Sequence, residues 1–93
     1  MEVDSFEHVW DALTDSPAES ANMTARSDLL IDLQQAVAGW GATHEEAAKR
    51  LGVTRPRVSD LLGGKIHKFS LDALVNLATQ AGLRVEIHTS RAA

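Results

Sequence analysis

Three polar side chains that lie close together in the sequence, Arg55, Arg57 and Ser59, carry hydrogen-bonding groups that can recognise nucleic acid. A guanidinium group can donate two parallel hydrogen bonds to O6 and N7 of guanine, and a serine hydroxyl can bond to a base or a phosphate. The pattern predicts a surface that reads DNA bases, provided that these side chains point outward from one helix. The alternative is an ordinary helical hairpin with a solvated basic face.

Two short helices joined by a tight turn would position these side chains. Thr43 and Glu46 have the spacing of a capping box, which satisfies free backbone N–H groups where a helix begins. Gly52 can end that helix in the left-handed conformation. Thr54 can then cap a second helix, with Pro56 in its first turn, where the missing N–H costs little. This spacing predicts a helix-turn-helix over residues 43–63.

Both helices have apolar residues at helical spacing, which predicts one buried face on each. These residues are Ala47, Ala48, Leu51, Val58, Leu61 and Leu62.

Charge is distributed unevenly along the chain, whose formal net charge is −4. Residues 1–42 contain one basic side chain against eight acidic ones, whereas residues 43–68 contain six basic side chains against three acidic ones. Screening hides charges that lie beyond about 8 Å at physiological salt, so a phosphate would respond mainly to the local positive region. Net acidity therefore does not exclude DNA binding.

The length and composition bound the remaining possibilities. A chain of 93 residues forms one small domain with a modest core, so oligomerisation is plausible. The lack of cysteine excludes disulfides and thiolate sites and fits a cytoplasmic protein. The first thirteen residues, MEVDSFEHVWDAL, are acidic and match neither a signal peptide nor a membrane span.

The N-terminal part is predicted to contain an arm and a long helix. Residues 1–15 have a helical apolar pattern that includes Phe6 and Trp10 and indicate either a short helix or a loosely ordered arm; alternatively, they form a lid that completes the core. Ser16 and Glu19 form a second potential capping box, and the helix that follows should extend to about Gly39. Its expected buried residues are Leu29, Leu30, Leu33, Ala36, Val37 and Trp40.

Two further features follow the helix-turn-helix within the predicted DNA-binding domain, residues 16–82. Lys65 and Lys68 lie in a loop that can approach the DNA backbone, although solvated loop charge explains them equally well. Ser70 can cap another helix, which Gly82 would end.

Residues 83–89 change to strict alternation, which predicts a strand with Leu83, Val85 and Ile87 on one face. The sequence offers this strand no second strand, and an unpaired strand leaves backbone groups without partners. We therefore expect it to pair with its copy in a homodimer, leaving residues 90–93 as a tail. Two recognition helices about 34 Å apart would then read a palindromic operator in double-stranded DNA.

Enzymatic chemistry is not expected. The four histidines have no spacing that places two of them on one helix face as metal ligands, and no cysteine or Ser-His-Asp grouping suggests a nucleophile. We predict no catalytic residue, no metal, no cofactor and no small-molecule substrate.

The run THEEAAKRLGVTRPRVSDLLGGK followed by FSLDALVNLATQAGLRVEI resembles the Xre/Cro-type helix-turn-helix proteins, and among them the small HigA-like antitoxins. The resemblance covers residues 29–87, and its most distinctive part is the run RPRVSDLL, with GK after one further residue, joined to FSLD. It implies a mainly α, lambda-repressor-like bundle of four to five helices that binds DNA as a dimer. Many relatives have Gln at the positions of His44 and Arg55.

The resemblance also implies a function. A HigA-like antitoxin represses its own operon and neutralises a RelE/HigB-type ribonuclease toxin. Arg55, Arg57 and Ser59 would read bases, and the DNA backbone would be held by Thr43, His44, Thr54, Lys65 and Lys68. Phe6 and Trp10 on the acidic arm would anchor a basic toxin. The alternative is a stand-alone, phage-type regulator without a toxin.

Overall fold

The computed structural model describes residues 16–91, which form an all-α arrangement of four helices and a 3-10 turn. The elements in chain order are α1 (Pro17–Ala38), α2 (His44–Leu51), α3 (Arg55–Leu62), the 3-10 turn (Ile66–Lys68) and α4 (Leu71–Gln80). The predicted arm, residues 1–15 with Phe6 and Trp10, lies outside the described residues, as do the last two residues of the predicted tail. No helix within residues 16–91 is long and apolar enough to span a bilayer.

All four helices begin at a residue whose hydroxyl accepts a hydrogen bond from the backbone three residues later, as the sequence predicts. The capping box of α2 is complete: Glu46 N donates to Thr43 Oγ1 at 3.1 Å, and Thr43 N donates to Glu46 Oε1 at 2.9 Å. The other three caps are Ser16, Thr54 and Ser70. Local chemistry therefore sets where each helix begins.

The turn between α2 and α3 depends on Gly52. This glycine has a φ of 73°, in the left-handed region, and Val53 N donates to Ala48 O at 2.9 Å across the turn. Only two residues separate Gly52 from the first residue of α3, so its backbone sets the direction in which α3 leaves α2.

The core lies where α1 crosses α4 and the α2–α3 pair packs against both. Leu30, Leu33 and Val37 supply the buried stripe of α1, while Leu29, Ala36 and Trp40, which the sequence also places in it, are only partly buried. Val58 and Leu61 of α3 are buried as predicted. The remaining buried residues are Ala47, Ala48, Leu51, Phe69, Leu74, Leu77, Ala78 and Ala81.

The predicted strand over residues 83–89 is not formed in the part of the chain that the structure describes, where these residues are neither helix nor strand. The physical reason is that a strand needs a partner for its backbone hydrogen bonds, and residues 16–91 contain no other strand to provide one. The alternation of side chains persists at first, because Leu83 and Val85 pack against the core while Arg84 and Glu86 are exposed. Ile87 is 81% exposed.

Replacing Gly52 with alanine should lower the free energy of unfolding by about 1–2 kcal/mol, because a Cβ is strained in the left-handed conformation even though no atom lies within 4 Å of its position. Gly39→Ala is the matched control, since Gly39 has a φ of −68° and its nearest neighbouring atom would lie 3.4 Å from the new Cβ. Urea denaturation should show a lower midpoint for Gly52→Ala alone. Equal stability of the two variants would contradict this assignment.

Candidate nucleic-acid interface

The outer surface of α3 presents Arg55, Pro56 and Ser59, all of which are exposed. Arg55 is the first residue of the helix, and no acidic side chain lies in the first turn. The N-terminus of a helix carries partial positive charge, and no acidic side chain in the first turn of α3 offsets it. This end of α3 is therefore suited to the negative and hydrogen-bond-accepting groups of a nucleic acid.

The first residue of α2 lies beside the middle of α3. His44 Nδ1 and Ser59 Oγ are 3.2 Å apart, and both side chains are exposed. When the serine hydroxyl donates to Nδ1, the proton of the imidazole is on Nε2, which can donate it to a phosphate. The structure thus brings together a predicted backbone contact and a predicted base reader.

The two capping threonines are also exposed, one at the start of each helix of the pair. The Thr43 hydroxyl accepts from Glu46 N and the Thr54 hydroxyl accepts from Arg57 N. In each case the hydroxyl proton remains available for donation. Both residues can therefore cap their helices and hydrogen bond to a phosphate at the same time.

Arg57 occupies a different flank of α3 from Ser59, as expected for helical residues two positions apart. Its Nη1 donates to Lys68 O at 2.7 Å, and its guanidinium carbon lies 4.0 Å from the centre of the Phe69 ring. The side chain is partly buried, in contrast to the exposed Arg55. The guanidinium of Arg57 is thus engaged within the fold, on the side where the 3-10 turn packs.

The two lysines predicted to hold the DNA backbone border the C-terminal half of α3. Lys68 Nζ lies 3.5 Å from Asp60 Oδ2, and the Lys68 side chain remains 57% exposed. Lys65 N donates to Asp60 O at 3.1 Å. The Lys65 side chain lies beside Gly63, because its Cε is 4.0 Å from the position that a Cβ would have at that glycine. Both lysines are therefore held near α3 through Asp60 and the end of the helix.

Two side chains of α1 contact the backbone of α3 and of the residue that follows the 3-10 turn. Neither was predicted from the sequence. Gln34 Nε2 donates to Leu61 O at 3.0 Å and to Leu62 O at 3.4 Å, which satisfies carbonyls at the end of α3. Arg26 Nη1 donates to Phe69 O at 3.3 Å. A signal was present for each: Gln34 interrupts an apolar stripe, and Arg26 is the single basic residue among the first 42.

The residues predicted to dimerise lie away from this surface. Leu83, Val85 and Ile87 line a groove between α1 and α4, together with apolar residues of both helices that include Leu29 and Val75. The DNA-reading and dimerisation predictions therefore concern separate surfaces of the domain.

Within residues 16–91, no three His, Asp or Glu side chains are grouped so that they could hold a metal ion.

A family model described as a helix-turn-helix domain matches residues 12–90, which include α2, the Gly52 turn and α3. No curated protein matches the chain significantly.

Proposed function

This chain belongs to the helix-turn-helix domain family, and we propose that it is a sequence-specific transcriptional repressor that binds a palindromic operator as a homodimer. The observation that carries the proposal is the exposed face of α3, where Arg55 and Ser59 are presented beside His44. Helix-turn-helix domains place such a face in the major groove, where these side chains can reach base edges.

The proposed contacts fall into two groups. Arg55 and Ser59 read bases from the outer surface of α3, where neither is buried. Arg57 was predicted as a third reader, but to reach a base it would have to leave Lys68 O and the Phe69 ring. The proposed contacts to the DNA backbone are Thr43, His44, Thr54, Lys65 and Lys68, and all five are exposed.

The homodimer is proposed through residues 83–89 of two copies. Ile87 is 81% exposed and lines the same groove as Leu83 and Val85, so the segment presents apolar side chains that a second copy could cover. Pairing the segment with its own copy in an antiparallel ribbon would satisfy its backbone groups and place Ile87 in contact with the partner chain. Because the two copies would be related by a two-fold axis, the operator that they bind should be palindromic.

A further part of the proposal is that the protein is an antitoxin that represses its own operon and neutralises a basic, RelE/HigB-type ribonuclease. Support comes from the resemblance of residues 29–87 to HigA-like antitoxins and from the acidity of residues 1–42, with eight acidic side chains against one basic. Acidic segments with apolar anchors such as Phe6 and Trp10 complement a protein surface that grips RNA. The alternative function is that of a stand-alone regulator without a toxin.

Arg55→Ala should weaken binding to the operator by about 1–3 kcal/mol and reduce discrimination at one base pair per half-site, since a bidentate contact to guanine would be lost. Lys65→Ala should instead weaken binding to all sequences alike and lower the slope of log K against log salt by about 1. Both effects can be measured by fluorescence anisotropy, using the promoter fragment upstream of the chain's own coding sequence and a shuffled fragment at several salt concentrations.

The control for this comparison is Arg91→Ala, which removes an equal charge from an exposed position outside α3. It should leave discrimination between the two fragments unchanged. If Arg55→Ala discriminates as well as the wild type, Arg55 does not read a base. If the wild-type protein does not distinguish the two fragments, the chain does not repress its own promoter, and the self-repressing antitoxin part of the proposal is wrong.

Ile87→Asp should disrupt the dimer without destabilising the folded chain, because Ile87 is already largely exposed within one chain but would be buried against the partner. Loss of this burial, about 1.5–3 kcal/mol for an isoleucine, should raise the dissociation constant of the dimer at least about tenfold. Sedimentation velocity measures this constant, and His88→Asp, the adjacent exposed position, is the matched control. An unchanged dimer in Ile87→Asp would exclude the ribbon.

Removal of residues 1–15 should abolish binding to the toxin and leave operator affinity unchanged, because the proposed toxin anchors and the DNA-reading surface belong to different parts of the chain. The measurement is co-expression and pull-down with the small basic protein encoded by the adjacent gene, followed by anisotropy with the operator. Full toxin binding by the truncated chain would show that the toxin contacts residues outside the first fifteen. An adjacent gene that encodes no such protein would favour the stand-alone regulator.

A further inference from the structure

We propose that Arg57 is a positioning residue that holds the 3-10 turn in place, so that Lys65 and Lys68 meet DNA phosphates, and that it does not itself read a base. The inference rests on the proposed function for its DNA-binding part. Its structural part concerns the free protein and can be tested without DNA.

The 3-10 turn has little support of its own. It spans only Ile66–Lys68, and no side chain caps its start. Its local backbone bonds run from Ile66 N to Gly64 O at 2.8 Å, from Lys68 N to Lys65 O at 3.0 Å and from Phe69 N to Ile66 O at 3.1 Å. Such short 3-10 segments have poor hydrogen-bond geometry, so contacts from other elements must help to set their position.

Two arginines supply those contacts from opposite sides of the fold. Arg57 of α3 donates to the carbonyl of Lys68, and Arg26 of α1 donates to the carbonyl of the next residue, Phe69. The Phe69 ring is only 1% exposed, so it is a fixed platform for the guanidinium of Arg57. The peptide that ends the turn is therefore held between α1 and α3.

The position of Lys68 connects this arrangement to DNA. Arg57 holds the backbone carbonyl of Lys68, while Asp60 of the same helix holds its ammonium group at 3.5 Å. Lys65, at the start of the turn, is hydrogen bonded through its backbone N–H to the carbonyl of Asp60. Both lysines thus have a defined position relative to α3, and Arg57 is the only side chain of α3 in the described contacts that binds a backbone atom of the turn.

The same geometry disfavours base reading by Arg57. A hydrogen bond of 2.7 Å from a charged donor is among the stronger kinds in proteins, and stacking on an aromatic ring adds to it. A guanine would have to replace both contacts of Arg57. Arg55, in contrast, is exposed and makes no comparable contact with the residues that the structure describes.

The experiment combines Arg57→Lys with Lys65→Ala and Lys68→Ala in a double-mutant cycle, measured by anisotropy on the operator and the shuffled fragment. Arg57→Lys keeps the charge, but an ammonium group has no planar guanidinium and cannot hydrogen bond to Lys68 O while it stacks on the Phe69 ring. It should weaken binding to both fragments by the same factor and lower the salt slope, although no charge is lost. In a protein that already carries Lys65→Ala and Lys68→Ala, Arg57→Lys should change the affinity for DNA by less than about twofold.

Hydrogen–deuterium exchange of the DNA-free protein supplies the second readout. The amides of Lys68 and Phe69 should exchange faster in Arg57→Lys than in the wild type, while Arg55→Lys, the matched control, should leave them unchanged. Circular dichroism establishes that each variant is folded.

Two results would overturn the inference. The first is unchanged exchange at Lys68 and Phe69 in Arg57→Lys. The second is a loss of discrimination at one base pair in Arg57→Lys, with a change in binding free energy that is additive with those of Lys65→Ala and Lys68→Ala. That result would make Arg57 a base reader. A wild-type protein that does not bind the operator would refute the proposed function and the DNA-binding part of the inference. Faster exchange in Arg57→Lys would then still support the role of Arg57 in holding the turn.

Discussion

The burial of one face of α3 is the constraint on which the candidate interface depends. A helix of eight residues is not stable alone in water, because the cost of its first turn is recovered only over a longer helix or by packing. Val58 and Leu61 are 0% and 1% exposed, and they pack into the core that α1 and α2 share. Because this face is fixed toward the core, the opposite face, with Arg55 and Ser59, is fixed toward solvent.

Apolar packing alone would leave the ends of α3 poorly defined, and polar contacts complete its position. Gln34 satisfies carbonyls at its C-terminal end, and Thr54 satisfies an N–H at its start. Arg57 then joins α3 to the 3-10 turn, which Arg26 joins to α1. The contacts of Arg26 and Gln34 are partly buried, where polar groups need specific partners, so these two residues favour one arrangement among those that apolar packing would allow.

The distribution of charge allows an acidic protein to present a basic surface. The chain carries a formal net charge of −4, yet the six basic residues of the 43–68 segment are concentrated around α2, α3 and the 3-10 turn. A phosphate near α3 interacts most strongly with charges within about one Debye length, so charges beyond that distance affect it less. Among the acids in this region, Asp60 is paired with Lys68, which further limits its repulsion of DNA.

Features that depend only on neighbouring residues could be predicted from the sequence. Caps at Thr43, Thr54 and Ser70 act over three residues, and Gly52 acts on the turn that contains it, so the helices and the tight turn could be predicted locally. Tertiary structure decided the direction of Arg57, whose partner is 11 residues away, and the roles of Gln34 and Arg26, whose partners are 27 and 43 residues away. Periodicity specifies which face of a helix is buried but not which distant atom meets a given side chain. The strand expected over residues 83–89 is not formed for a related reason: residues 16–91 contain no other strand that could pair with it.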